Sequence, residues 1–416
     1  MCKIAIIGAG VSGLTVAQLL KNKAQVVVFE RESKPGGLIR CERVNGSLFH
    51  TCGGHVFNTK KQNVLDWFWQ QFNRETEFVK TDRNSVIFLS NEQHIPYPIE
   101  NFAYLLDEQT QKSFIQDLLS ISKLSGVTID NFQKFLRSRF GDTLYKLYFE
   151  PYNKKVWRRE LSDVPIDWLE GKLPMPTVEE MIYNNFNRVA EKQFVHSTFF
   201  YEKQDGSQLI ANRLSEGLDI HYNASIEKIE RVDTHWKING EMFDEVVFCG
   251  NIKDLPNIIQ GIDLKGYTRA IDELQYHGTT SVFCEIDANP YSWIYLPNDI
   301  YRAHRIICTG NFSPSNNGKV LEGRITATVE FTDEVKKDEI IENLQLIPLH
   351  PTYLTHQYNQ YTYPIQNKDT RYMIASLKQE LAETGLYMTG RFTDWEYYNM
   401  DVAMGAAMDV YETIQL

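Results

Sequence analysis

Cysteine is sparse and scattered in this chain. Its six residues, Cys2, Cys41, Cys52, Cys249, Cys284 and Cys308, include no Cys-x-x-Cys pair. That pattern signals neither a zinc site nor a disulfide framework, and no metal site is expected; a reducing compartment fits it. Long apolar runs are also missing. None approaches the roughly 20 residues that a bilayer crossing needs, so membrane insertion is not expected. Positive charge is in deficit, with 43 Lys and Arg against 54 Asp and Glu and a net charge of -11. No basic surplus exists to release counterions from a nucleic acid. An anionic ligand must therefore be met by a few local Arg or Lys residues. No basic leader precedes the first apolar run, Ile4 to Ile7. The chain accordingly reads as mature from residue 1, not exported, and cytoplasmic.

What is present is a globular composition, 43% apolar and 12% aromatic, over 416 residues. That length is about two to three typical domains. Residues 3 to 8 read as a buried parallel strand, 12 to 21 as a helix and 25 to 30 as a second buried strand, a βαβ opening. From about 100 to 190 the spacing turns helical, as in Phe114, Leu118, Leu119 and in Phe132, Phe135, Leu136, Phe140. The apolar run Val246 to Cys249 returns to the first sheet. Residues 265 to 365 carry β-branched and aromatic strands that predict a second, mainly antiparallel sheet. The last segment reads strand, turn, helix. The expected class is α/β: a discontinuous Rossmann-like dinucleotide domain (1–95, 200–262 and 383–416), an inserted helical domain (96–199) and an antiparallel β-sheet domain (263–382).

Gly8-x-Gly10-x-x-Gly13 follows a strand and opens a helix, the context that separates a dinucleotide fingerprint from chance glycines. The diphosphate would sit on the helix N-terminus, against the backbone of Val11 and Ser12. Glu30 closes the second strand, where a carboxylate can accept from both ribose hydroxyls. FAD is favoured over NAD by the residues after that strand: Glu30-Arg31, then Gly36-Gly37-Leu38, a second close-approach glycine pair. At the far end Thr389-Gly390-Arg391 leads to a helix beginning near Asn399-Met400-Asp401, whose unpaired N–H groups could face a flavin oxygen.

Further motifs carry a resemblance. His50-Thr51-Cys52-Gly53-Gly54-His55-Val56-Phe57 resembles a segment of the UDP-galactopyranose mutase family, closer to its eukaryotic-type branch. Pro96-Tyr97-Pro98-Ile99-Glu100-Asn101 resembles the family's uridine segment, and Phe149 to Trp157 its helical-domain signature. Tyr301-Arg302-Ala303 with Gly310-Asn311-Phe312-Ser313-Pro314, then Tyr363-Pro364 and Gly390 to Tyr397, are similar to its remaining ligand segments. These motifs run through nearly the whole chain in the family's order. The resemblance implies His55 and Gly54 against the flavin and Arg391 at the cofactor. It implies Arg302, Tyr363 and Tyr397 around a substrate diphosphate, Tyr97, Tyr148 and Asn153 near the uridine, and Trp157 near the sugar. Three positions depart from the pattern: Lys172 aligns with a clamping arginine, Glu100 with a glutamine that reads the base, and Tyr398 with a bacterial aspartate.

The implied activity is interconversion of UDP-galactopyranose and UDP-galactofuranose, or of a related nucleotide sugar, for cell-surface glycans. In the family, N5 of reduced FAD forms a covalent adduct with the anomeric carbon, and NADPH or another donor keeps the flavin reduced. His55, Arg302 and Lys172 are the expected catalytic residues. The expected partner is a small UDP-sugar, and a homodimer is left open. A rival reading from another class is an amine-oxidase-like or desaturase-like flavin oxidoreductase, which requires a largely apolar substrate pocket. Taken singly, Tyr363, Tyr397 and Trp157 read as packing residues.

Overall fold

The computed structural model describes residues 1–123, 128–166, 169, 176–189 and 198–414. Its organising element is a parallel sheet in the order Leu386–Met388, Glu245–Phe248, Lys3–Ile7, Gln25–Phe29, Asp219–His221. Three distant parts of the chain thus build one sheet. Its three inner strands, Glu245–Phe248, Lys3–Ile7 and Gln25–Phe29, are apolar at consecutive positions because both faces are covered. Ile4, Ile6, Val26 and Val28 pack into one core with the helices Val11–Leu20 and Met400–Tyr411. Ala5, Ile7, Val27 and Phe29 point the other way, into a core shared with Trp236 and Trp395.

The first helix lies hard against the strand that precedes it. A Cβ at Gly13 would fall 1.9 Å from the Gly8 carbonyl oxygen, a backbone atom that cannot swing aside. Gly13→Ala is therefore expected to cost at least about 1–3 kcal/mol of stability and to lower the flavin retained on purification. Chemical denaturation and the ratio of flavin to protein absorbance check both effects.

The second sheet has seven strands, ordered Thr352–Ile365, Gln275–Asp287, Arg324–Thr332, Arg305–Ile307, Trp293–Tyr295, Ser85–Phe88, His94–Pro96. It is antiparallel except where Ser85–Phe88 runs parallel to Trp293–Tyr295. This corrects the first domain boundary. Strand Ser85–Phe88, read from sequence as part of the dinucleotide domain, and His94–Pro96, which straddles the expected boundary between 95 and 96, lie in this second sheet. Their pairing partner lies about two hundred residues away, so no local pattern announces it. Phe78–Asp82 likewise pairs with Thr198–Glu202, closing a ribbon across the two ends of the helical insertion.

The insertion contains helices Glu108–Ile121, Phe132–Leu144, Glu150–Trp157 and Val178–Asn187. The last begins on a capping box: Thr177 accepts the Glu180 N–H and the Glu180 side chain accepts the Thr177 N–H. Phe114 and Leu118 are buried as their spacing predicts, whereas Leu119 faces outward at 54% exposure. No helix among the described residues is long and apolar enough to cross a membrane.

Candidate active site

The fingerprint loop and its partners form a cradle at the C-terminal edge of the parallel sheet. Val11, Ser12 and Gly13 open a helix whose N-cap, Gly10, offers no side-chain acceptor, so their N–H groups are free to hold an anion. The Glu30 carboxylate accepts the Ala9 N–H at 2.7 Å and the Glu32 N–H at 2.9 Å. Two backbone donors thus aim it, with lone pairs left for hydroxyl donors. Gly36 donates to the Ala9 carbonyl at 2.8 Å, and a Cβ on Gly37 would stand 3.3 Å from the Gly10 Cα. The second glycine pair therefore lies directly against the first loop. Arg31 is exposed beside Glu32.

From the C-terminal end, Gly390 sits at φ +133°, a conformation only glycine adopts without strain, with its Cα side toward Ser12 and the Cys249 carbonyl. Arg391 donates to the carbonyls of Tyr398 (3.0 Å) and Thr362 (2.5 Å), while its Nε is buried without a partner. Helix Met400–Tyr411 starts at Asn399 with no side-chain cap and carries Asp401 in its first turn. His55 lies at the end of the Gly53-Gly54 segment, where a Cβ on Gly54 would meet Ile307 at 2.6 Å. Burial, and then the charge of Arg391, hold the His55 imidazole down at about 4, so it is neutral at physiological pH. Its Nε2 is buried and unpartnered. Leu38 contributes its backbone beside this ring. Two uncapped helix N-termini, an aimed carboxylate and unpartnered buried nitrogens on His55 and Arg391 suit a large anionic dinucleotide with a polar ring system. The residues present fit FAD.

Arg391 belongs to a second cluster as well. Its guanidinium lies 4.2 Å above the Tyr397 ring and 5.8 Å from that of Tyr363. The two tyrosines stack at 5.3 Å with planes 6° apart. Arg305 completes the group, donating to the Tyr363 hydroxyl at 3.3 Å. It opens strand Arg305–Ile307 directly opposite Glu330, with which it forms a buried ion pair. Burial alone would push the Glu330 carboxyl up, but Arg305 and then His304 outweigh burial and hold it at about 2.

Arg302, the sequence candidate for the diphosphate, lies outside this cluster. Its side chain is 44% exposed and paired with Glu339 on helix Lys337–Leu344. The correction has a geometric cause. Ala303 and His304 are buried between the two arginines, and the backbone turns through them, so that residue 302 faces solvent and residue 305 faces the tyrosines. The available sequence signal was the apolar run Ile306-Ile307, which marks Arg305 as the first residue of a buried strand. Lys172 lies outside the described residues.

On the helical side, Tyr148 and Tyr152 stack at 5.5 Å, Tyr152 meets Tyr295 edge-on at 5.4 Å, and Tyr97 lies 5.2 Å from Tyr295. Arg83 covers Tyr97 at 5.0 Å and donates to the Tyr295 hydroxyl at 2.8 Å. Tyr152, Tyr295 and Arg83 were not singled out from sequence. Tyrosines from two domains converge here, which no spacing within one segment encodes. Asn153 turns its amide back to the Phe149 carbonyl at 2.7 Å. Trp157 is buried, and its carbonyl accepts from His277 at 2.6 Å. On the same helix, Lys155 donates to the carbonyls of Leu296, Asn298 and Tyr301 at 2.8, 2.5 and 2.6 Å. It ties the helical insertion to the loop that precedes Arg305.

Comparison with known proteins agrees with this layout. Residues 6–72 match the family described as NAD(P)-binding Rossmann-like domain. The chain is 22% identical to the UDP-galactopyranose mutase of Mycoplasma genitalium, over 96% of this chain and 92% of that protein. It is 24% identical to the dTDP-fucopyranose mutase of Escherichia coli, over 98% and 97%. The crystal structure of reduced UDP-galactopyranose mutase superposes with a TM-score of 0.86 at 22% identity, covering 99% of this chain and 95% of that one. In sequence and in fold, over nearly its whole length, the chain is similar to the pyranose–furanose mutases, with UDP-galactopyranose mutase the relative that both comparisons share.

Proposed function

We propose that this chain is a flavin-dependent mutase that interconverts the pyranose and furanose forms of a nucleotide sugar, with UDP-galactose as the first substrate to test. The observation that carries the reading is the double membership of Arg391: one guanidinium helps form the flavin cradle and also lies over the stacked Tyr363 and Tyr397 beside Arg305. An anion site thus adjoins the cofactor site. An amine or hydrocarbon oxidase calls for an apolar pocket there, and two arginines with a tyrosine pair argue against it.

When bound and reduced, the flavin supplies the nucleophile that displaces the diphosphate from the anomeric carbon, with no net redox over the cycle. The chain's own residues have two tasks. Arg305, Tyr363 and Tyr397 hold the diphosphate as it gains charge on departure and keep it bound for its return, the role of aimed donors in a water-poor site. His55, neutral and held beside the Arg391 guanidinium, offers a hydrogen-bonding nitrogen to the flavin ring while adding no charge of its own. The similarity to both a UDP- and a dTDP-linked mutase supports a pyrimidine nucleotide and leaves the sugar to experiment.

The test is to reduce the purified flavoprotein with dithionite under nitrogen and incubate it with UDP-galactose, UDP-N-acetylgalactosamine, UDP-arabinose and dTDP-fucose. Chromatography should reveal a furanose product from one of them, with the flavin not consumed. No conversion of any of the four, together with steady oxygen uptake on an amine, would replace this reading with the oxidase.

A further inference from the structure

The three hydrogen bonds of Lys155 converge on a single loop. That loop, residues 296–304, joins strands Trp293–Tyr295 and Arg305–Ile307 into a hairpin, and Tyr295 faces Arg305 as the last pair before it. Residues directly opposite on antiparallel strands point to the same face, so whatever fixes the mouth of the hairpin fixes both side chains. Arg305 reaches the hydroxyl of Tyr363, and Tyr295 meets the tyrosines of the helical insertion. The loop is pinched at its base, where Leu296 donates to the His304 carbonyl at 2.9 Å.

An ammonium carries three N–H donors. Lys155 directs them to the carbonyls of Leu296, Asn298 and Tyr301 at 2.8, 2.5 and 2.6 Å. Carbonyl oxygens crowded around one point repel one another, and a cation with matching donors turns that crowding into attraction. The remaining hydrogen bonds of the loop run the other way. Asn298 donates to the Leu89 carbonyl at 3.2 Å, the Tyr301 hydroxyl to the Asn91 side chain at 2.6 Å, and the Ala303 N–H to Asn343 at 3.3 Å. Leu89 and Asn91 lie in a turn of the second sheet, and Asn343 on helix Lys337–Leu344. Lys155 links the same loop to the insertion, from helix Glu150–Trp157. Three residues earlier on that helix, Tyr152 meets Tyr295 edge-on at 5.4 Å and His304 at 6.3 Å.

Resting on the mutase reading, we propose that Lys155 is a positioning residue for Arg305: by holding loop 296–304 to the helical insertion, it keeps the guanidinium aimed at the diphosphate as that group leaves the sugar. Lys155 acts through Arg305 and not on the substrate itself. Without the ammonium, Arg305 is still charged and still paired with Glu330, but it follows a loop released from the helix. An aimed donor matters most where charge develops. A displacement of about 1 Å therefore lowers turnover by up to about 10²-fold and weakens ground-state binding much less.

The experiment is steady-state kinetics of the reduced, FAD-loaded full chain as wild type, Lys155→Met, Arg305→Ala and the double variant. The substrate is whichever of the four nucleotide sugars the wild type converts, with UDP titrations alongside. Methionine keeps an unbranched stem and removes the ammonium. Lys155→Met should lower kcat about 10- to 100-fold, while KM and UDP affinity change by less than about threefold. In the Arg305→Ala background the same substitution should change kcat by less than about twofold, because the residue it acts through is gone. Unchanged kcat per FAD-loaded molecule in Lys155→Met, or an equal fall in both backgrounds, overturns the proposal and leaves the mutase reading intact. Should Lys155→Met not fold, Lys155→Arg decides, since a planar guanidinium keeps the charge but not the convergent donors of an ammonium. It should show the same loss and the same dependence on Arg305, and wild-type turnover in Lys155→Arg rejects the proposal. Failure of both variants to fold makes Lys155 a scaffold residue and rejects it as well. If the wild type converts none of the four nucleotide sugars, the mutase reading fails and the proposal with it.

Discussion

Arg305→Ala is expected to lower turnover by about 10²–10³-fold and to weaken UDP binding strongly, while the protein remains yellow with bound FAD. The magnitude is that of removing one aimed donor from a site where charge develops. Two features of the structure raise the expectation to the upper end. Arg305 reaches the Tyr363 hydroxyl at 3.3 Å, so its loss also frees that tyrosine, and it leaves Glu330 as an uncompensated negative charge in an anion site. Arg302→Ala is the informative companion. Its guanidinium is half-exposed and paired with Glu339, so its removal should change turnover little and stability by less than about 1 kcal/mol. Steady-state kinetics of the reduced enzyme and UDP titration of both variants decide the matter. Strong loss in Arg302→Ala with near-normal Arg305→Ala would restore the assignment made from sequence and place the diphosphate elsewhere.

Glu330→Ala is expected to destabilise the fold by about 3 kcal/mol, because it strips the largely buried Arg305 guanidinium of its counter-ion and leaves it only the Tyr363 hydroxyl. Urea denaturation of the FAD-loaded protein measures it. Glu330→Gln should cost less, since it keeps an acceptor for the guanidinium. The pH dependence has a definite sign. The native carboxyl is held at about 2, below its ordinary 4.5, so the pair's contribution is complete above the ordinary value and lost as pH falls toward 2. The wild type should therefore lose stability between pH 4.5 and 2 more steeply than Glu330→Gln. Equal slopes would mean that the pair contributes nothing net, as buried ion pairs sometimes do.

The glycine cradle proposed for the flavin was legible in the linear chain because each of its parts is local. Gly8, Gly10 and Gly13 are dictated by one turn and one close contact between a helix and its own strand, and the uncapped start at Asn399 by a single helix boundary. The tyrosine–arginine cluster was legible in part. Tyr363, Tyr397, Tyr97 and Tyr148 could be named from motifs, but Tyr152, Tyr295 and Arg83 join them only through packing between the helical insertion and the second sheet. Arg302 and Arg305 show why. Two arginines three residues apart carry the same charge and nearly the same local context, and what separates them is which one faces a strand about two dozen residues further on. The boundary near residue 95 failed for a related reason: Ser85–Phe88 is a buried strand in either sheet, and its partner is set by the path of the chain between them.

The linear chain alone thus specified the class of fold and the cofactor, since dinucleotide binding depends on backbone conformation and close approach, which glycines at fixed spacing set locally. It also pointed to the kind of chemistry to look for, through motifs spread along its length. Folding was needed to settle which arginine meets the tyrosine pair, how Glu330 restrains it, and that Glu100 is buried in its turn. Those properties are differences of burial and charge between residues far apart in sequence, and they come into existence only when the two sheets and the helical insertion close around one site.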